Sequence, residues 1–380
     1  MIPPKSPYRE LAALFLRLGS TAFGGPAAHI AMMEDEVVRR KQWLTHAEFL
    51  DLIGLTNLIP GPNSTEMAIH IGQRRGGWRG LVIAGVAFIC PAAIITGCFG
   101  WAYVRFGALP QAGGLLYGIK PVMIVIVAQA LVGLAPKAVK NRPLAAIGVV
   151  ALFACAYGLN ELLMLAIAGL CALGIHKRAV PTSPALGTCA SLGAVSAVAS
   201  VQSAIVPFSL SGLFLIFAKI GSVLFGSGYV LLAFLRSDFV EHRHWLTEAQ
   251  LLDAVAVGQV TPGPVFTTAT FIGYILGGVP GAVLATLGIF LPAFLFVAIS
   301  HVLLRKMRRS SSLGAFLDGV NVASLSLMAL VTIQLGQAAL VDLPTALIAA
   351  SSALLLRAKV NPTWLIAGGA LIGLISLGRS

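Results

Sequence analysis

Two Pro-Gly-Pro tripeptides interrupt apolar stretches of this chain, Pro60-Gly61-Pro62 and Pro262-Gly263-Pro264, 202 residues apart (262 − 60). Their settings match: Asn57-Leu-Ile-Pro-Gly-Pro-Asn63 in the first, Gln259-Val-Thr-Pro-Gly-Pro-Val265 in the second. A helix does not run through such a tripeptide, because each proline removes an N–H donor and clashes with the preceding turn. In hydrocarbon, broken backbone persists only where protein buries it or where it lines a watery cavity. Two broken helices at matching places in two halves therefore point to a transporter binding site near the bilayer midplane.

That a bilayer is the solvent follows from composition. Of 380 residues, 57% are hydrophobic and 11% are charged, against about 25% charged in soluble domains. Apolar runs long enough to span recur along the whole length, so the fold class expected is an all-α polytopic membrane protein. The net charge of +12 sits in short loops, where cations set topology, and no nucleic-acid partner is implied. Met1–Pro7 is polar, and no cleavable signal peptide is expected. The five cysteines (Cys90, Cys98, Cys155, Cys171, Cys189) are scattered through apolar runs, with no Cys-x-x-Cys pair and no histidine at ligand spacing. They read as small hydrophobes, so no metal and no cofactor are expected. No Gly-x-x-x-x-Gly-Lys-Ser/Thr occurs, so ATP hydrolysis by this chain is excluded.

The interruptions belong to a tandem repeat. Gly19-Ser20 recurs as Gly221-Ser222, Phe23-Gly24-Gly25 as Phe225-Gly226-Ser227, Trp43-Leu44-Thr45 as Trp245-Leu246-Thr247, and Asp51 as Asp253. One residue closer, Gly76-Gly77 and Pro91 recur as Gly277-Gly278 and Pro292. The chain divides into an N-terminal repeat (1–180), a connecting span or linker (181–207) and a C-terminal repeat (208–380), with about six spans per repeat. The first span is expected over roughly Arg9–Met33; a Thr45/Glu48 capping box opens the second.

Positive loops follow spans two, four and six of the first repeat (Arg74/Arg75/Arg79, Lys137/Lys140/Arg142, Lys177/Arg178). In the second repeat they follow spans three and five (Arg305/Lys306/Arg308/Arg309, Arg357/Lys359). By the positive-inside rule the homologous halves are inverted. Inversion needs an odd span between them, for which Ala185–Val206 is the candidate. The sum is about thirteen transmembrane helices, with the N-terminus cytoplasmic and the C-terminus periplasmic. Arg39-Arg40-Lys41 is the exception to this pattern.

Three cations lie inside apolar spans: Arg17, Lys120 and Lys219. Arg17 and Lys219 are repeat mates, whereas Lys120 has Asn321 as its counterpart. Such cations face a cavity or partner, or snorkel to the interface; brought together, Arg17 and Lys219 would suit a divalent anion. The broken helices suit the same ligand, because a helix N-terminus presents N–H groups and a positive dipole end. The substrate-binding candidates are thus Arg17, Phe23, Gly24, Gly25, Asn57, Pro60, Gly61, Pro62 and Asn63 in the first half. In the second they are Lys219, Phe225, Gly226, Ser227, Gln259, Pro262, Gly263 and Pro264. The glycine-rich stretches alone also suit tight helix packing. Glu66 and His70, an i, i+4 pair, are candidates for proton coupling or form a hydrogen-bonded structural pair; the second half has Thr268 at the Glu66 position. Asp51 and Asp253 read as helix-start residues favoured by the dipole.

The Phe-Gly-Gly-Pro stretch at 23–26, the Trp-Leu-Thr loop at 43–45, the Pro-Gly-Pro break and their copies resemble the long-chain chromate ion transporter family. The likeness is clearest over residues 10–105 and 210–300; Ser227 for Gly25 and Tyr229 for Ala27 are departures in the second copy. The resemblance implies a secondary transporter, not an enzyme, that exports chromate across the bacterial inner membrane by alternating access and so confers chromate resistance. Its partners would be chromate, with sulfate as analogue, and the lipid bilayer; a homodimer is compatible. Transport of sulfate or another tetrahedral oxyanion is the alternative, and a membrane-embedded sensor or reductase the alternative of a different class.

Overall fold

The structure is a computed structural model, and it describes residues 7–22, 25–107, 110–179, 207–225, 228–307, 311–358 and 360–377. The expected connecting span at 185–206 lies outside the described residues, as do Phe23, Gly24, Gly226 and Ser227. Among the described residues every regular element is helical.

The first half opens with α1 (Pro7–Thr21) and α2 (Gly25–Glu34), which continues as a π-helical turn, Asp35–Arg40. The single span expected over 9–33 is thus two short helices. Gly25 takes φ +80°, a left-handed conformation that a right-handed helix cannot continue through, and Pro26 follows. After a Thr45/Glu48 capping box, present as expected, α3 (His46–Thr56) runs to the first Pro-Gly-Pro. Then α4 (Asn63–Phe106) begins, with non-helical backbone at Gly76 and Gly77. These two residues reverse the chain: Gly72 and Gly80 lie backbone to backbone with no space for a methyl group, whereas eight residues of straight helix would separate them by about 12 Å. The arm before the reversal, residues 63–75, is only about 20 Å long and by itself does not cross a bilayer core of about 30 Å. α5 (Pro110–Ala138), α6 (Arg142–Ala156) and α7 (Glu161–Ala179) complete the half.

The second half repeats this backbone in detail. α8 (Leu210–Val223) matches α1; α9 (Leu231–Leu235) and a π-helical turn at Arg236–His242 match α2 and its turn. α10 (Glu248–Val260) matches α3, with its own capping box at Thr247/Gln250. α11 (Thr268–Met307) breaks at Gly277 and Gly278 with the dihedrals of Gly76 and Gly77. Even the two non-glycine residues with positive φ among the described residues, Gln42 and His244, are repeat mates. α12 (Ser311–Ala339), α13 (Leu343–Arg357) and α14 (Pro362–Leu377) follow.

Among the described residues four stretches are long and apolar enough to cross a membrane: Asn63–Phe106, Gly113–Ala138, Val265–Ser300 and Ser311–Ala339. The halves exchange partners in packing. α4 lies against α11, α5 against α13 and α14, and α12 against α6 and α7. One apolar core runs through both halves, while Leu11, Phe15, Phe49, Met67 and Phe88 form a second within the first half.

Candidate functional site

The two Pro-Gly-Pro tips are tied across the halves by crossed backbone hydrogen bonds. Gly61 N–H donates to the Leu224 carbonyl (2.8 Å), and Gly263 N–H donates to the Ala22 carbonyl (2.9 Å). Leu224 and Ala22 are repeat mates that end α8 and α1, immediately before the glycine-rich stretches. The sequence folds this way locally because both glycines are buried in the tripeptides and glycine alone suits their conformation. Gly61 (φ +136°) and Gly263 (φ +90°) occupy conformations that L side chains rarely adopt. A methyl on Gly263 would lie 2.8 Å from both Ala92 Cβ and the Gly19 carbonyl oxygen. His29, buried on α2, adds a second contact to the Ala22 carbonyl (3.1 Å).

Around these tips lie buried polar groups. Ser64, Thr65 and Glu66 open α4; Thr267 and Thr268 stand at the matching place in the second half. The Thr96 hydroxyl of α4 lies 3.3 Å from that of Thr267. Asn63 Nδ2 donates to Asn57 Oδ1 (3.1 Å). Among the described residues Thr65 Oγ1, both Glu66 carboxylate oxygens and Gln259 Nε2 are buried without a hydrogen-bond partner. Native interiors leave few such groups, and their concentration at the start of α4 and the end of α10, on either side of the tips, suits a polar ligand. Of the sequence candidates, Asn57, Pro60, Gly61, Pro62, Asn63, Glu66, Gln259, Pro262, Gly263 and Pro264 are brought to these tips or their flanks. Gly25 begins α2 and Phe225 packs on the main core. His70 is buried one turn beyond Glu66.

Arg17 and Lys219 end elsewhere. Arg17 pairs with Glu36 (2.7 Å), which Arg40 also engages at 3.1 Å. Lys219 pairs with Asp238 (2.5 Å), which Arg243 also approaches at 3.3 Å. Glu36 and Asp238 are repeat mates, so the cluster is built twice. Each places two cations around one carboxylate, and a cavity of about 500 Å³ opens at the first beside Arg17, Thr21, Met32 and Arg40.

Lys120, the cation without a cationic mate, reaches across the halves to Asp253 (3.0 Å), and Tyr103 donates its phenol to the same carboxylate (2.9 Å). Asp253, expected only to favour a helix start, is a buried partner in an interhalf ion pair; the dipole argument saw its own helix and not the facing α5. The signal available in sequence was two lone opposite charges, one in each half's apolar stretch. Among the described residues no group of three or more His, Cys, Asp or Glu is placed to hold a metal.

The chain is 36% identical over 378 residues to the chromate transport protein of Cupriavidus metallidurans, covering 98% of this chain and 94% of that one. It is 33% identical over 345 residues to the chromate transport protein of Pseudomonas aeruginosa, covering 88% and 83%. No solved structure gives a significant match. Residues 9–175 and 211–374, one segment in each half, match the chromate transporter family, and the chain belongs to that family.

Proposed function

We propose that this protein carries chromate across the bacterial inner membrane, outward from the cytoplasm, by alternating access of two inverted halves around the crossed tips. The observation that carries the reading is the reciprocal pair of hydrogen bonds, Gly61 to Leu224 and Gly263 to Ala22. Each half's broken helix is held by the other half, so a rocking motion of the halves acts directly on both tips. Two helix starts with buried hydroxyls are suited to a tetrahedral dianion; sulfate shares that shape and charge and is the analogue expected to compete. The relatives named as chromate transport proteins favour chromate as the cargo.

Inversion of the halves is supported by residue contacts. Gly85 of α4 packs on Phe294 of α11, whereas parallel halves would set it against its repeat mate near residue 286. Gly118 of α5 packs on Gly369 of α14 and Gly373 on Gly114, the order of an antiparallel pair; Gly319 on Ala168 repeats the contact in the other half. The topology proposed remains about thirteen crossings, with the domain limits of 1–180, 181–207 and 208–380, a cytoplasmic N-terminus and a periplasmic C-terminus. Arg17 and Lys219 guide the anion from the flanks, and Glu66 with His70 supplies the coupling proton.

The test is chromate uptake into everted membrane vesicles, with and without excess sulfate. Uptake that sulfate inhibits is the expected result; sealed vesicles containing the protein and taking up no chromate would overturn the export reading. Tags on the two termini, probed from each side, test inversion, and termini on the same side would refute it.

A further inference from the structure

We propose that Glu66 binds a proton whenever the dianion occupies the first Pro-Gly-Pro tip, so that anion binding is itself a proton-uptake reaction. The inference rests on the transport reading above and deepens it by naming how the anion and a proton are linked.

Glu66 is fully buried, and neither of its carboxylate oxygens has a hydrogen-bond partner among the described residues. Its backbone N–H is bonded to the Pro62 carbonyl (3.0 Å), the first turn of α4. The side chain folds back over that turn, and Oε1 fills the space beside Gly61 where a β-carbon would stand. The carboxylate therefore lies against the tip and over the helix start, where a bound oxyanion would accept N–H hydrogen bonds. An ionised carboxylate and a dianion do not share such a place: like charges at contact distance in a site of low dielectric repel strongly. A protonated Glu66 removes that repulsion and turns an acceptor into an O–H donor toward the anion.

Among the described residues no cation is bonded to Glu66. From α1 and the turn after α2, Arg17 and Arg40 are paired with Glu36. His29 of α2 is engaged with the Ala22 carbonyl, and Asp51 of α3 is exposed. From the second half, Asp253 of α10 is paired with Lys120, and the α11 stretch 279–299 carries no titratable side chain. On α4 itself the titratable neighbour is His70, one turn on and buried. The arrangement is one-sided, because Thr268 stands at the matching place in the second half and bonds the Val265 carbonyl (2.8 Å). One proton per anion is thus the stoichiometry.

By linkage, an anion that takes up one proton on binding loses affinity by about tenfold per pH unit above the titration point. The probe is sulfate, which stays a dianion throughout the neutral range, added to purified full-length protein in weakly buffered detergent with a pH dye. Expected, above the titration point of Glu66 in the free protein, are uptake of close to one proton per sulfate bound and an affinity that falls as pH rises. In Glu66→Gln, whose amide stands in for the protonated acid, the proton uptake and the pH slope vanish whatever the affinity. Sulfate binding by the wild-type protein without proton uptake would overturn the inference and leave the transport reading standing. Proton uptake that survives in Glu66→Gln but is lost in His70→Gln would overturn it by moving the proton to His70. Absence of binding by both sulfate and chromate would remove the anion site and the inference with it.

Discussion

Replacing Lys120 by methionine tests the tie between the halves. Asp253 has 5% of its side-chain surface exposed and Lys120 19%, so the pair is screened far less than a surface pair. Taking away the lysine leaves a buried carboxylate whose remaining partner is the Tyr103 phenol. Removing one member of such a pair costs about 3–5 kcal/mol. Asp253→Leu strands the lysine instead, but its four-carbon stem lets the ammonium move toward water, so that change should cost less, about 2 kcal/mol. The double variant Lys120→Met/Asp253→Leu replaces the ion pair by apolar contacts and should cost little beyond the lost Tyr103 hydrogen bond, about 1 kcal/mol. The coupling energy from this cycle is then about 4–6 kcal/mol, the two single costs together less the double. Equilibrium unfolding of the four purified proteins in mixed micelles supplies the numbers. A coupling below about 0.5 kcal/mol, the range of exposed pairs, would refute the claim that this pair works as a buried link between α5 and α10.

Other outcomes follow from the same geometry. Gly263→Ala places a β-carbon against the Ala92 side chain and Gly19 backbone, whereas in Gly61→Ala the first obstacle is the Glu66 side chain, which can move. Gly263→Ala should therefore be the more damaging to vesicle transport, with strain of about 1–3 kcal/mol. Arg17→Ala and Lys219→Ala should each weaken transport while membrane abundance, read by immunoblot, holds, because Arg40 and Arg243 still accompany Glu36 and Asp238. The Thr45 N–H and hydroxyl hold Glu48 below the usual carboxylate range, and the Tyr117 hydroxyl with the Thr345 N–H does the same for Asp342. A depressed folded pKa stabilises above the unfolded value and is lost as pH falls through the folded one. Stability should therefore decline below about pH 4, and Thr45→Ala should flatten that decline in a pH series of unfolding curves.

How far the fold was legible depended on whether the signal was local. The breaks at 60–62 and 262–264, the capping boxes at Thr45 and Thr247 and the repeat itself stand in the sequence as short motifs, and local backbone chemistry fixes them. The split of the first expected span at Gly25 and the reversals at Gly76-Gly77 and Gly277-Gly278 were harder, because hydropathy runs on unbroken while the backbone turns. The partner exchange between halves, and with it Lys120 on Asp253, depends on which helices meet; a periodicity read along one chain carries no information on that. The crossed hydrogen bonds were hidden for the same reason: they join backbone atoms, whose partners no side-chain pattern names.

The two halves keep one backbone but not one chemistry, and the differences fall where charge can change. Glu66 has Thr268 as its mate, Lys120 has Asn321, and Tyr103 has Leu304. In the proposed inverted arrangement, two halves with identical side chains would make the inward-open and outward-open states equal in energy by symmetry. Only residues that break the symmetry can bias one state over the other. Glu66 at the first tip and the Lys120–Asp253–Tyr103 cluster beside the second half's α10 are such residues, with both carboxylates buried. Installing the missing mate, Thr268→Glu, puts a second carboxylate at the second tip. Under the linkage argued above it should raise proton uptake per sulfate bound from about one toward two and weaken sulfate binding more steeply with pH. An unchanged proton count in a folded Thr268→Glu protein would mean that the second tip does not face the anion, and that the site belongs to the first half alone.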